Sequence, residues 1–516
     1  MSTITLSADA KSDITATGLH ALASRFNIKI SPDDEVAYLL LLQSADAVYK
    51  LVAEYPDEIP AALKPVEKLA RALSPAQDNI CVGGVPTTLG VLPAQVSRMG
   101  TYVPSSIDSV VVSRLLRAGA VIKGTAVCEA YSAAPTSFTS ATGIVHNPWP
   151  KERGYTSGSS NSGCGAVLGI AAMAEQGLLS EADVKKTSSI RLPASYNGIY
   201  GLKAIHGLIP YTGGMGVSPM VDHLGPMATK LDDIAIILQV MAGDDGLDTR
   251  MTPDTPKRDQ VKDYPGILRV FRESLVSTSS SKPRRLRIGL LVESFSAPGL
   301  SPQVRDTVLQ TARQAFILAG AEVKEISIPM HHRGPLIWTA ATRKTMGDFA
   351  ISGETQGYLT GEMYDQLSST NPTIMNLIFC AAHLKEKFGP SADAGGHRAV
   401  FALRAAYDAV LENSGAEDGV DILVTPTVPT VAFKCPYLDT KDGESPSVMD
   451  RVKAAVGHSY NTCPFNVTGH PAMSVPCRFG EGRLPIGIQL VGRRWEDEMV
   501  LEAAALVERG GWSCWN

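Results

Sequence analysis

Gly154-Tyr-Thr-Ser-Gly-Ser-Ser-Asn-Ser-Gly-Cys-Gly165, running straight into the apolar and small residues of Ala166 to Ala174, is the most unusual passage of the chain. Small hydroxyl and glycine residues lead directly into helical periodicity. Backbone N–H groups at such a loop-to-helix junction are free of intrahelical partners and can hold an anion or an oxyanion. The bland alternative is a flexible Ser/Gly linker. The stretch lacks the Gly-Lys-Ser/Thr ending of a phosphate loop.

On either side the hydrophobic period switches between strand and helix. Val110 to Leu116 reads as a helix ending at Ala118-Gly119, with Ala120 to Ile122 as a short buried strand after it. Leu231 to Met241 is a helix closed by Gly243. Asp244 to Lys282 is rich in Asp, Pro, Ser and charge and reads as a long surface connection. Leu286 to Val292 (strand), Val304 to Leu318 (helix, closed by Gly320) and Ala321 to Ile328 (strand) follow. The strands Val420 to Val424 and Ile486 to Val491 and the helix Glu496 to Val507 complete the pattern. Strand and helix alternate throughout, so the fold class is α/β, one large sheet covered by helices. Behind Ser31-Pro32, the spacing of Val36, Leu39, Leu40, Ala45, Val48 and Val52 predicts an amphipathic helix over Asp33 to Tyr55. Residues 1–70 are therefore expected to form a helical N-terminal region and 71–516 the α/β domain.

Composition narrows the function. The 516 residues carry 47 Lys+Arg against 52 Asp+Glu, a net charge of −5, which exerts no whole-chain pull on nucleic acid or anionic lipid. No run approaches the roughly 18 apolar residues of a membrane span, and Met1 to Lys11 lacks a secretory pattern. The eight cysteines form no CxxC pair and read as reduced thiols. A cytoplasmic protein without membrane or nucleic-acid partners is expected. No His/Cys/Asp cluster has metal-ligand spacing and no dinucleotide fingerprint occurs, so neither metal nor cofactor is expected.

Two further segments, Lys185-Lys-Thr-Ser-Ser-Ile-Arg-Leu-Pro-Ala-Ser-Tyr-Asn-Gly-Ile-Tyr-Gly-Leu-Lys203 and Pro219-Met-Val-Asp-His-Leu-Gly-Pro-Met227, join the opening stretch in a recognisable order. Together they resemble the amidase signature family, whose segments read GGSSGGS, GTDxGGSIRxPA, GxxGLKPTxGxxP and DHxGPM. The match extends upstream to Gly90 and downstream through Asn461 to Pro476 and Gly492. It looks closest to the group with an added helical N-terminal region, on the segments Leu208 to Gly213 and Phe465 to Pro471. The resemblance implies an amidase signature fold, a twisted mixed central β-sheet covered by helices on both sides. It also implies cleavage of carboxamides by a Ser, cis-Ser, Lys triad, a small-molecule substrate and a homodimer.

Carried over residue by residue, the nucleophile falls on Ser189 and the cis-Ser on Ser159, with the cis bond expected between Gly158 and Ser159. The lysine of the family's IKDN segment falls on Gln77, just before Asp78-Asn79. A neutral amide cannot take a proton from serine at pH 7, whereas a buried lysine of depressed pKa can. The oxyanion segment departs as well: Lys186, Thr187 and Ser188 precede Ser189, with Thr187 and Ser188 replacing two glycines and Lys185 replacing the aspartate. Cβ-bearing residues there re-aim the backbone N–H groups. Phe138, Ser140, Tyr155, Ser157 and Lys185 are expected to line the substrate cleft.

Lys185, Lys186 and Lys123 are candidate replacement bases, each with solvation or packing as the plainer reading. Cys164, His206, His223 and His470 read as structural. Three functions are compatible with this pattern. A degenerate triad fits non-hydrolytic chemistry on a small molecule, such as cyclisation or isomerisation. An amidase or acyltransferase using Ser189 with a substitute base is the second, and a non-catalytic binding protein the third.

Overall fold

Adjacent residues of one strand point to opposite faces of a sheet, and here that alternation builds two cores. In the computed structural model, which describes residues 12–24, 29–53, 60–65, 75–95, 100–122, 124–133, 135–176, 190–216, 218–276, 285–352, 361–412, 419–435 and 447–510, strands β5 (Arg287–Leu291), β7 (Ile422–Pro426), β8 (Ala472–Phe479) and β9 (Pro485–Gly492) carry the central pattern. Ile288, Leu290, Ile422, Val424, Met473, Val475, Ile488 and Leu490 face one core. Leu291, Leu423, Ala472 and Val491 face the other.

The first core is closed by α6 (Leu231–Met241), α7 (Tyr264–Val276), α8 (Pro302–Leu318) and α15 (Asp497–Arg509). The second is closed by α9 (Gly334–Ser352), α12 (Pro390–Leu411) and α14 (Cys463–Thr468). With β3 (Tyr200–Lys203), β4 (Met227–Ala228) and β6 (Glu322–Ile326) the sheet has seven strands in the order β4-β3-β8-β9-β7-β5-β6. The β5 pairings with β6 and β7 are parallel and the rest antiparallel. The sheet is mixed and helices cover both faces, the architecture expected of 71–516. The remaining elements of this unit are β1 (Pro75–Gln77), α3 (Val110–Arg117), β2 (Gly124–Ala126), α4 (Ser162–Glu175), α5 (Arg191–Asn197), α10 (Gly361–Thr370), α11 (Pro372–Phe388) and α13 (Val448–Lys453).

One row across the sheet is polar. Gly201 on β3 pairs with Ser474 on β8, Ser474 with Gln489 on β9, and Gln489 with Thr425 on β7. Here the sheet is covered by the short helix α5. A Cβ on Gly201 would stand 2.5 Å from the Ile190 carbonyl oxygen, and one on Gly487 2.5 Å from Ser195 Oγ. Glycine at these two places lets α5 lie on the sheet.

The chain divides into two compact units between Pro60 and Ala61. The first contains α1 (Ala16–Ser24) and α2 (Pro32–Ala53), the latter matching the helix expected from Asp33 onward.

Two local expectations are corrected. Ala120 to Ile122 is not a strand: Val121 is exposed, and the strand begins at Gly124, where β2 pairs with β1. Asp244 to Lys282 is not a continuous surface connection. Tyr264, Leu268, Phe271 and Leu275 recur at spacings of four, three and four, and α7 packs that stripe into the first core. Flanking Asp, Pro and Ser masked the stripe. Among the described residues no helix is long and apolar enough to cross a membrane.

Candidate functional site

The site begins with a short parallel ladder. β1 pairs with β2 so that Gln77 stands opposite Ala126. Asp78, next along, is buried. Its carboxylate accepts the Cys128 N–H at 3.0 Å and the Thr88 hydroxyl, and its own N–H donates to the Ala126 carbonyl at 3.0 Å. Burial raises its pKa, and those hydrogen bonds oppose the rise. This clamp fixes Gln77, which is only 3% exposed. Gln77 Nε2 donates to Ser132 Oγ at a long 3.4 Å.

The Gly154–Gly165 stretch approaches from the other side. Gly158 has φ +74°, and a Cβ there would sit 2.7 Å from the Tyr196 ring and 3.0 Å from Pro193 Cα. Only glycine meets both demands. A cis peptide lies between Ser159 and Ser160, one residue later than the Gly158–Ser159 bond expected, and Gly158 before it takes the positive φ. α4 begins at Ser162, earlier than the apolar pattern indicated.

Behind this turn lies a group the sequence reading missed. Glu129 is completely buried, its N–H donating to the Ser160 carbonyl at 2.9 Å. One carboxylate oxygen accepts from the Phe138 and Thr139 N–H groups at 3.2 and 3.0 Å and from the hydroxyls of Thr139 and Thr136 at 2.5 and 3.4 Å. Its other oxygen is buried without a partner. Burial pushes the pKa up to about 8, so the group is largely protonated at neutral pH. The available signal was an acid set among apolar and small residues, Val127-Cys128-Glu129-Ala130.

Helix α5 supplies Arg191, which is 5% exposed. Its guanidinium donates to Gln489 Oε1 at 2.6 Å, to the Thr462 carbonyl at 3.0 Å and to Asn466 Oδ1. Gln489 in turn donates to Thr425 Oγ1 and to the Asn461 carbonyl, both at 2.8 Å. Through Gln489 the polar row of the sheet thus holds the start of α5, two residues after Ser189 in the sequence.

These parts border a cavity of about 550 Å³ lined by Gln77, Ser159, Ser160, Ile190, Arg191 and Lys203, and also by Trp338 and Arg343 of α9 and Asn376 of α11. Gln77, Ser159 and Ser160 thus all border this one cavity. Ser189, Lys185, Lys186, Thr187 and Ser188 lie outside the described residues, as does Lys123.

Four expected cleft residues do not border the cavity. Ser157 is buried, donating to the Ser162 carbonyl at 2.9 Å and accepting from Asn197 Nδ2 at 3.0 Å. Phe138 packs edge-on against Phe433, and Ser140 bonds Thr142 at 3.0 Å. Tyr155 packs with Tyr196, Val428 and Leu484. Each is instead engaged in packing or hydrogen bonds within the surrounding loops.

Lys203, quoted in the sequence pattern without a role, is 2% exposed and borders the cavity. Its ammonium donates to the Ala204 carbonyl at 2.9 Å. Burial, then the Arg191 charge, hold its pKa well below the usual lysine range. His470 is buried, with hydrogen bonds to Thr468 and Asp408, and His206 contacts the Pro219 carbonyl, both fitting structural roles. His223 borders the cavity, and its Nε2 is buried without a partner. Cys164 is fully buried in α4. Among the described residues no three His, Cys, Asp or Glu side chains gather as a metal site.

Comparison with known proteins places the chain's family and fold. A solved bacterial aryl acylamidase, one of the amidase signature enzymes, superposes with a TM-score of 0.64 at 18% identity, over 97% of this chain and 92% of that one. At that identity the likeness concerns the fold. An enantioselective amidase of Rhodococcus rhodochrous is 32% identical over 454 residues, 83% of this chain and 78% of that protein. A glutamyl-tRNA(Gln) amidotransferase chain of Prochlorococcus marinus (strain MIT 9211) is 30% identical over 465 residues, 87% of this chain and 85% of that one. The Amidase family profile matches residues 76–501, nearly the whole span from Gln77 to the last helix, and the chain belongs to that family.

Proposed function

We propose that this protein binds a small carboxamide or acyl compound in the Gln77–Ser159–Ser160 cavity and acts on it by acid–base chemistry other than ordinary amide hydrolysis, such as cyclisation or isomerisation. The observation that carries the reading is Gln77. It is buried, clamped by Asp78 and the β1/β2 ladder, and borders the cavity beside both serines. Its amide offers one acceptor and two donors and neither gains nor loses a proton near pH 7. In this reading Gln77 and the serine hydroxyls orient the substrate, while the proton of Ser189 has no amine to receive it from that position. A homodimer in solution belongs to the same reading and is checked by light scattering.

Lys203 favours a second reading, hydrolysis through Ser189 with a substitute base. It is a buried amine on the cavity wall, and burial shifts its pKa in the direction that favours the neutral form a general base needs.

The test is ammonia release by the purified full-length chain from aliphatic and aromatic amides. Negligible turnover is expected. Brisk release that vanishes in Ser189→Ala overturns the first reading, and loss in Lys203→Met but not in Lys185→Met or Lys186→Met then assigns the base. Gln77→Lys alone should restore little. A base contributes about 10² to 10⁴-fold only where the oxyanion donors are already placed, so Gln77→Lys combined with Thr187→Gly and Ser188→Gly should recover more.

A further inference from the structure

The cavity has an uneven charge. Among the described residues its walls carry three basic side chains, Arg191, Lys203 and Arg343, and one carboxylate, Asp222. Three of these four are committed to the fold. Arg191 is held by Gln489, Thr462 and Asn466. Lys203 donates to Ala204 and is kept toward its neutral form by burial. Asp222 accepts the Ser218 N–H at 2.6 Å.

Arg343 is different. It stands half-buried in the middle of α9, and among the described residues no carboxylate, carbonyl or amide accepts from it. Thr339 precedes it by one helical turn on the same face, and Thr373 and Asn376 border the cavity from α11. An unpaired arginine on a convex surface is ordinary and simply solvated. This one forms part of a concave wall, with Trp338, Gln77, Ser159 and Ser160 bordering the same space. A guanidinium presents five N–H donors in a planar fork that matches a carboxylate in two parallel hydrogen bonds.

We propose that the occupant of this cavity carries a carboxylate remote from its amide or acyl group, and that Arg343 receives that carboxylate. The substrate class is then an acid amide, a molecule with one carboxamide or acyl end and one anionic end. The proposal rests on the reading of the cavity as a carboxamide site and adds what distinguishes one amide from another. Arg343 selects among substrates, and no bond-making step is assigned to it.

Matched pairs separate the two ideas. The full-length protein is titrated calorimetrically with terephthalamide against 4-carbamoylbenzoate, and with glutaramide against glutaramate. The acid of each pair should bind about tenfold more tightly than the diamide, the size of one charge-assisted contact at a half-exposed site. That preference should shrink with added salt. In Arg343→Met it should disappear while diamide affinity stays within about twofold of the parent. Arg343→Lys should retain part of it. Equal binding of acid and diamide by the parent protein, or a preference that survives Arg343→Met, overturns the carboxylate subsite and leaves the carboxamide cavity standing. If neither member of either pair binds, both readings fall. Circular dichroism of each variant confirms that the comparison is made on folded protein.

Discussion

Arg191 and Arg343 border the same cavity, yet one is spent and the other is available. Arg191 lies under the start of α5 with its donors bound to Gln489, Thr462 and Asn466, and it remains cationic although burial lowers its pKa to about 9. Arg343 borders the cavity from α9, half-buried, with no acceptor among the described residues. A buried charge held by three hydrogen bonds is part of the framework, because losing it strands several partners at once. A charge left without partners in a concave wall is a recognition group waiting for a ligand. Residue type alone separates nothing here; position in the hydrogen-bond network does.

The sharpest way to break this comparison is Arg191→Met. The change removes contacts to two side-chain amides and one carbonyl and leaves Gln489 Oε1 and the Thr462 carbonyl facing an apolar chain in a buried setting. A loss of about 3 to 5 kcal/mol in urea unfolding is expected. A loss below about 1 kcal/mol would mean that the polar row of the sheet does not hold α5 and that the contrast between the two arginines is false.

Glu129 falls between the two cases, with one oxygen fully used and the other buried and unpartnered. Its folded pKa of about 8 lies above the unfolded value near 4.5. Below pH 4.5 both states are protonated. Between the two values the unfolded chain releases a proton that the folded chain keeps, so this residue makes stability fall as pH rises, and the penalty is complete above pH 8. One proton sets a ceiling of about 1.4 kcal/mol per pH unit. Glu129→Gln keeps an oxygen for the Phe138 and Thr139 donors and abolishes the titration. Urea midpoints at pH 6 and pH 8 should therefore converge in the variant by about 1 kcal/mol or more relative to the parent. An unchanged slope would show that Glu129 is ionised throughout and that the loop behind Ser160 is held by a charge.

What could be read from the sequence follows the same division between local pattern and network. Leu231–Met241 matches its expected bounds, and the strands around Ile288, Ile422 and Ile488 lie where their apolar runs placed them, because burial on both faces is written locally as hydrophobicity. The helix over Tyr264–Val276 was hidden because its four core residues sit among Asp, Pro and Ser. Gln77 and Ser159 were singled out only through the resemblance of their segments to the amidase signature family, and both border the cavity. The cis bond shifted by one residue because two adjacent serines offer no local cue to register, whereas the Tyr196 and Pro193 contacts that fix Gly158 are long-range. Glu129, Lys203 and Arg343 owe their character to what folding places around them. An acid, a lysine in a glycine-rich strand and an arginine in a helix look ordinary until burial or a cavity gives them meaning.

The smallest effect is the most diagnostic for Arg343. If the guanidinium were a hidden structural element, Arg343→Met would cost stability as Arg191→Met does, though less. If it is reserved for a ligand, the free protein gains nothing from its charge. Replacing a half-exposed side chain by one of similar length keeps the packing of its stem against α9 and removes only solvated donors. The unfolding free energy of ligand-free Arg343→Met should then lie within about 0.5 kcal/mol of the parent at moderate salt. Repeating the measurement with saturating 4-carbamoylbenzoate supplies the contrast. A ligand that binds only the folded state adds stability in proportion to the logarithm of its concentration over Kd, so a tenfold weaker Kd appears as about 1.4 kcal/mol less stabilisation in the variant. Destabilisation of the free variant by more than about 1 kcal/mol would place Arg343 with Arg191 in the framework and remove the distinction on which the carboxylate subsite depends.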